Sequence, residues 1–297
     1  MIRLGIVDCD TSHVIQFTKR LNHLDIAQDQ WVDGANIVMA CRGTSEITAP
    51  ETIEKYVEEL RKLGVPMVAR PEEMIGKVDG VLIESQAGSA HLERARPFLE
   101  AGVPCYVDKP FATAVADAKA IAQLAAGKSL PVFSSSSLRY ALEVQELLQS
   151  GVGRVLGADA YSPAPLNPRQ PGLFHYGIHG VETLYALMGR GCESVQCAWT
   201  EGSEVTTGLW KDGRIGTVRG TRAGSHAYGF VAWAEKGVRQ TTINAAYIYR
   251  ELLKRIVQMF QTGKAPLDIR ETIEIVAFQQ AALKSAQCGG AKVALEG

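Results

Sequence analysis

Lys109 follows the apolar run Pro104-Cys105-Tyr106-Val107 and precedes Pro110, which places it just past the end of a predicted strand. Ligands of open α/β sheets bind outside the carboxyl ends of the strands. A lysine there can hydrogen-bond a substrate hydroxyl and stabilise alkoxide character while hydride leaves the carbon. The plainer roles are a surface lysine or an ion pair with Asp108. A second group of candidates lies in Phe174-His175-Tyr176-Gly177-Ile178-His179-Gly180-Val181-Glu182. The imidazole of His179 titrates nearest neutral pH and suits a general acid–base, although its apolar neighbours Val181, Leu184 and Leu187 suit a packed histidine as well. A helix starting before His175 would put His175, His179 and Glu182 on one face, a set able to hold a divalent metal. Pro171-Gly172 upstream, with Gly177 and Gly180, favours a loop at His175 and makes metal the minor reading.

The N-terminus supplies the third constellation. Ile2 to Val7 reads as a strand, Asp8-Cys9-Asp10-Thr11-Ser12-His13 as a tight turn, and the following spacing of Val14 and Phe17 as a helix. Strand, turn and helix are the setting of a dinucleotide-binding unit, where G-x-G-x-x-G lets backbone approach a pyrophosphate. Here Asp8, Asp10 and His13 hold the three glycine positions. Two carboxylates facing a helix N-terminus would compete with phosphate for its donors. Asp10 is a good N-cap, and Thr11 and Ser12 can cap the helix or donate to phosphate. Near the end of the second strand, where an acid would hold the ribose of NAD, stands Ala40-Cys41-Arg42-Gly43. Arg42 could meet the 2′-phosphate of NADP or be a solvated loop residue. The expected cofactor is therefore NAD or NADP, bound weakly or lost through the altered turn.

These residues need a scaffold, and the chain reads as two parts. Up to residue 133, strands at Ala35–Cys41, Val65–Val68, Gly80–Ile83, Pro104–Val107 and Pro131–Phe133 alternate with helices at Glu51–Leu63, His91–Glu100 and Asp117–Ala126, and Pro71 starts a further helix. This alternation is that of an α/β Rossmann-like doubly wound parallel sheet. From residue 134 to 297 the pattern changes to strands at Val155–Tyr161, Ser194–Thr200, Val205–Trp210, Ile215–Thr221 and Phe230–Ala234, with a hairpin signal at Lys211-Asp212-Gly213-Arg214. Closing helices are predicted over Thr241–Thr262 and Arg270–Gln287. This second part reads as an α+β domain with a largely antiparallel open sheet, serving substrate binding and oligomerisation. Trp199, Trp210 and Trp233 fall in that sheet, as core or as an oligomer face.

Composition narrows the function classes. A chain of 297 residues with 46% hydrophobic and 21% charged residues is ordinary for a globular enzyme. A formal net charge of −1 leaves no basic footprint for nucleic acid or an anionic membrane. The six cysteines show no C-x-x-C spacing and read as reduced, buried thiols, which with the absence of a leader or a spanning run points to the cytoplasm.

The opening turn, Asp108-Lys109-Pro110, the His175/His179 segment and Phe260-Gln261-Thr262-Gly263-Lys264-Ala265-Pro266 before the last long helix occur in one order along the chain. In these segments the sequence resembles the glucose–fructose oxidoreductase/inositol dehydrogenase (Gfo/Idh/MocA) family over essentially its whole length. The resemblance implies that the lysine of an E-K-P-like motif and the aspartate and histidine of a D-x-x-x-H motif surround the substrate. The lysine is then Lys109, with Asp108 where glutamate is common; the histidine is His179, and the aspartate position holds His175. The implied activity is NAD(P)-dependent oxidation of a CH–OH group of a sugar, cyclitol or related polyol, with His175 positioning the substrate. Arg139 and Tyr140, after Ser134–Ser137, could contact substrate or serve a helix start. His91 would lie near the nicotinamide side or be a helix-terminal surface residue. The alternatives are a non-redox relative kept for ligand binding or regulation, and a metal-dependent lyase or hydrolase on His175, His179 and Glu182. The expected partners are a small-molecule substrate and, to cover the open sheet, copies of the chain in a homodimer or homotetramer.

Overall fold

The computed structural model describes residues 1–296, and the chain divides into two compact units. The first begins with β1 (Ile2–Val7), α1 (His13–Leu21), β2 (Ala35–Cys41), α2 (Pro50–Lys62), β3 (Met67–Val68), β4 (Gly80–Ile83), α3 (His91–Glu100), β5 (Cys105–Val107), α4 (Val115–Gly127) and β6 (Val132–Phe133). Its six strands are all parallel, in the order β3-β2-β1-β4-β5-β6. The central strands are apolar without alternation, as burial on both faces requires: Leu4, Ile6, Val7, Val81, Leu82, Ile83, Tyr106 and Val107 are all fully buried. On α2 the stripe Ile53, Val57 and Leu60 faces inward and charged residues face out. Pro71 opens only a four-residue 3₁₀ turn, Pro71–Met74.

The second unit contains α5 (Leu142–Gln149), β7 (Val155–Pro163), α6 (Ile178–Met188), β8 (Cys192–Thr200), β9 (Ser203–Trp210), β10 (Ile215–Thr221), β11 (Gly229–Ala234) and β12 (Gly237–Thr242). After these come α7 (Ile248–Thr262), α8 (Ile269–Gln287) and β13 (Val293–Ala294). The seven-stranded sheet runs β12-β11-β7-β10-β9-β8-β13, antiparallel except for the parallel pair β7 and β10. Lys211–Arg214 makes the predicted hairpin between β9 and β10, closed by the Trp210 N–H donating to Arg214 O at 2.9 Å. Trp210 is buried, whereas Trp199 and Trp233 are more than two-fifths exposed.

Two features differ from the sequence reading. The predicted helix over 241–262 starts only at Ile248, because Gly237–Thr242 pairs along β11 as a hairpin strand. The chain also does not divide at a single point: residues Tyr249–Ile269 belong to the first unit. Leu252, Leu253, Ile256, Val257 and Met259 of α7 need apolar cover and are buried. Gly80 makes room for α7, since a Cβ at that position would run into the Phe260 ring. Among the described residues, no helix is long and apolar enough to cross a membrane. The thiols of Cys9, Cys41, Cys105, Cys192 and Cys197 are free and buried, and that of Cys288 is free and exposed.

Candidate functional site

The last residues of β1, β4 and β5 are in register, Val7 opposite Ile83 and Ile83 opposite Val107. The next residue on each strand is a carboxylate: Asp8, Glu84 and Asp108 stand abreast at the carboxyl edge of the first unit's sheet, at most 2% exposed. Asp8 takes a positive φ of 65°, a conformation that a glycine adopts freely and aspartate tolerates better than most residues. Its carboxylate accepts from Ser85 Oγ at 2.6 Å and from Arg94 Nε at 2.9 Å, and it fills the space over Gly43, where a Cβ would clash with it. Asp10 Oδ1 accepts from the Gln86 N–H at 2.9 Å. Burial pushes the Asp10 carboxyl up to about 6, against the opposing Ser45 hydroxyl and Gln86 amide.

These partners correct the expectation that Asp10 caps α1. The N-cap is Ser12, which is exposed; no side chain caps the helix, and its first turn carries no acid. Asp8 and Asp10 turn towards the loop after β4 and towards α3, where Ser85 and Arg94 donate to Asp8 and the Gln86 amide donates to Asp10. Thr11 is buried, its Oγ1 3.5 Å from the His13 N–H.

His13 faces the other two acids. Its Nδ1 lies 2.8 Å from Asp108 Oδ2 and 3.8 Å from Glu84 Oε2. The ring stacks on Phe17 and meets the edge of Tyr249, both at 5.1 Å between centroids. Burial, reinforced by the charge of Asp108, drives the Glu84 carboxyl well above the usual carboxylate range. For Asp108 burial acts the same way but is outweighed by His13 and Lys109, which hold it well below that range. Lys109, only 14% exposed, has Nζ 3.7 Å from Asp108 Oδ2 and is joined to Pro110 by a cis peptide bond.

The other first-unit candidates are committed to structure. Arg42 turns from the turn to Glu54 on α2 (2.6 Å) and to Gly43 O (2.8 Å). His91 is neither exposed nor terminal in function: fully buried, it braces Ser85 O through Nε2 (2.7 Å) and Phe111 O through Nδ1 (3.1 Å), and burial lowers its pKa.

In the second unit, His179 lies in the first turn of α6. Its Nδ1 is 2.6 Å from Ser136 Oγ, which also accepts from the Leu138 N–H. The hydroxyl that accepts from Leu138 thus also holds Nδ1 and orients the imidazole ring. Tyr176 and Tyr228 present ring edges to the imidazole at 5.7 and 5.6 Å. His175 lies in the turn before α6, which starts at Ile178, so His175, His179 and Glu182 do not share a helical face. Glu182 is taken by Arg139, Nε to Oε2 at 2.7 Å, and Arg139 pairs also with Glu271 at 2.8 Å. Arg139 is thus a buried cation held between two carboxylates, and Tyr140 beside it is buried. Among the described residues, the one group of three possible metal ligands is His13, Glu84 and Asp108.

Asp10 yields a pH-dependent expectation. A carboxyl held at about 6 against an ordinary 3.8 binds its proton more tightly in the folded chain. Its contribution to stability therefore falls as pH rises through that interval and stays lost above it. The interval corresponds to at most about 3 kcal/mol. Asp10→Asn, which keeps the acceptor for Gln86, is expected to be about 1–2 kcal/mol more stable than wild type at pH 8 and nearly equal at pH 4. Urea midpoints at the two pH values measure this, and parallel profiles for the two proteins would contradict it.

Residues 32–136 match the model of the Gfo/Idh/MocA family, described as an oxidoreductase family with an NAD-binding Rossmann fold. The match covers about a third of the chain. The match starts after α1, so it includes Lys109 but not the altered turn. No curated protein matches the sequence. Among solved structures, the fold is similar to that of myo-inositol 2-dehydrogenase from Lactobacillus plantarum, with a TM-score of 0.79, 14% identity and 99% of each chain covered. It is also similar to scyllo-inositol dehydrogenase from Lactobacillus casei, solved with bound NAD(H) and scyllo-inositol, with a TM-score of 0.80, 15% identity and 99% of each chain covered. A third is UDP-N-acetylglucosamine 3-dehydrogenase from Acidithiobacillus ferrooxidans, with a TM-score of 0.77, 14% identity and 97% of this chain and 98% of the other covered.

The family description raises the question of whether a nicotinamide dinucleotide suits the first unit. At its phosphates it does: α1 presents an uncapped N-terminus with an exposed Ser12, and the flanking acids are tied elsewhere. At the ribose end of β2, Arg42 is paired with Glu54.

Proposed function

We propose that the chain is an NAD(P)-dependent oxidoreductase acting on a CH–OH group of a sugar, cyclitol or related polyol. The observation that carries this reading is Lys109, fixed by buried Asp108 at the carboxyl end of β5 in a sheet of the family's Rossmann type. Such a lysine donates to the reacting oxygen and stabilises it as it gains alkoxide character. A bound nicotinamide supplies the hydride acceptor. The N-terminus of α1, with Thr11 and Ser12, holds the phosphates. In the second unit, His179 is the proposed proton carrier, with Ser136 orienting its ring, and His175 is the proposed substrate-orienting residue. The choice of a polyol substrate is supported by the inositol and sugar dehydrogenases whose fold the chain shares.

A second reading is favoured by His13, whose pinned imidazole stands where a dinucleotide-binding turn has its last glycine. In that reading the fold is kept for a non-redox ligand. Titration of the purified protein with NADH and NADPH, followed by nicotinamide fluorescence, separates the two. Micromolar binding of either is the expected result and opens a polyol screen. Absence of binding at millimolar concentration would transfer the assignment to the non-redox reading.

A further inference from the structure

We infer that His13, Glu84 and Asp108 form a buried site for a divalent transition-metal cation. Each offers one ligand atom, and these atoms all lie within 4.8 Å of one another. The decisive group is Glu84. Its side chain is fully buried, and among the described residues neither carboxylate oxygen has a hydrogen-bond partner. Oε2 nevertheless faces His13 Nδ1 at 3.8 Å, and Asp108 Oδ2 lies 2.8 Å from the same nitrogen. An orphaned buried carboxyl is costly, and native chains retain one where something else completes it. No role in the proposed hydride chemistry uses Glu84.

The supports are rigid. Glu84 and Asp108 follow adjacent strands in register, and His13 is the first residue of α1. Outer contacts orient the ligands: Tyr106 OH donates to Asp108 Oδ1 at 3.4 Å, and Phe17 and Tyr249 fix the imidazole plane. One imidazole nitrogen and two carboxylate oxygens suit Zn²⁺, Mn²⁺, Fe²⁺ or Co²⁺. They lack the thiolates of a Cu⁺ site and the many oxygens of a Ca²⁺ site. The competing cation is Lys109, whose Nζ lies 3.7 Å from Asp108 Oδ2. Removing that ammonium should therefore tighten metal binding.

The test is calorimetric titration of the full chain, dialysed against chelator, with ZnCl₂, and with CoCl₂ followed by visible absorption. One equivalent is expected in wild type. Glu84→Gln should weaken binding about 100-fold or more. Lys109→Met should strengthen binding, and Cys288→Ser, at the exposed thiol, should leave it unchanged. His13→Asn replaces Glu84→Gln if that variant fails to fold. The inference is overturned if wild type takes up no metal, or if uptake is lost in Cys288→Ser and retained in Glu84→Gln. None of these readouts depends on dinucleotide binding or turnover.

Discussion

Replacing Lys109 by alanine is expected to lower kcat on the best polyol substrate by about 10³-fold, with the far-UV spectrum and urea midpoint close to wild type. The magnitude follows from the role: a positioned donor that meets charge as it develops in the transition state contributes about 10²–10³-fold by itself. In the proposed role Lys109 also sets where the reacting oxygen stands. The fold should tolerate the change, since the Asp108 carboxylate keeps His13 at 2.8 Å, the Tyr106 hydroxyl at 3.4 Å and its own N–H bond to Ile83 O. A lysine that merely neutralised Asp108 would behave differently. Its loss would cost stability and leave turnover nearly intact, and activity within tenfold of wild type would remove Lys109 from the chemistry. Lys109→Arg separates charge from placement, because a planar, longer guanidinium preserves the ion pair but not the position of a single ammonium. It is expected to keep wild-type stability without restoring rate.

The central strands were legible because burial on both faces leaves uninterrupted apolar runs: Ala35–Cys41 and Gly80–Ile83 begin and end in the structure where those runs do. β12 was not legible, because Gly-Val-Arg-Gln-Thr-Thr is an exposed edge strand that carries no core-facing stripe. At the carboxyl edge of the first unit's sheet, Lys109 stood out by residue type and position. Glu84 did not, although it directly follows a buried strand. What joins it to His13 and Asp108 is the strand order β1-β4-β5, a tertiary fact that no local pattern encodes. The same limit misdirected the reading of Asp8 and Asp10. Their proximity to α1 in sequence suggested that both face the helix N-terminus, with Asp10 as its cap, while the partners that claim them, Ser85, Gln86 and Arg94, come from the distant loop after β4 and from α3. Arg139 looked available for a substrate because both of its carboxylate partners sit on helices remote in sequence.

That buried arginine gives the largest expected effect on stability. Its guanidinium bridges Glu182 on α6 and Glu271 on α8, while its backbone carbonyl accepts from Gln145 on α5 at 2.9 Å. The side chains of Arg139, Glu182 and Glu271 are only 8%, 3% and 13% exposed. Burial already raises the Glu271 carboxyl above its ordinary value, with the Arg139 charge restraining it. Arg139→Ala removes that restraint and leaves two buried carboxylates facing each other, a loss of about 3–5 kcal/mol at neutral pH. The sign of the pH dependence follows. Without the guanidinium Glu271 holds its proton more tightly in the folded chain than in the unfolded one, so the variant gains relative stability as pH falls and that carboxyl becomes neutral. The gap from wild type should narrow between pH 7 and pH 4.5, and Arg139→Met with Glu182→Gln and Glu271→Gln should recover most of it, since that combination leaves no buried charge unpaired. Urea unfolding of the three proteins at both pH values measures each term. A single variant within about 1 kcal/mol of wild type at neutral pH would show that water or a shifted lysine compensates the two acids, and that Arg139 does not hold α6 and α8 together.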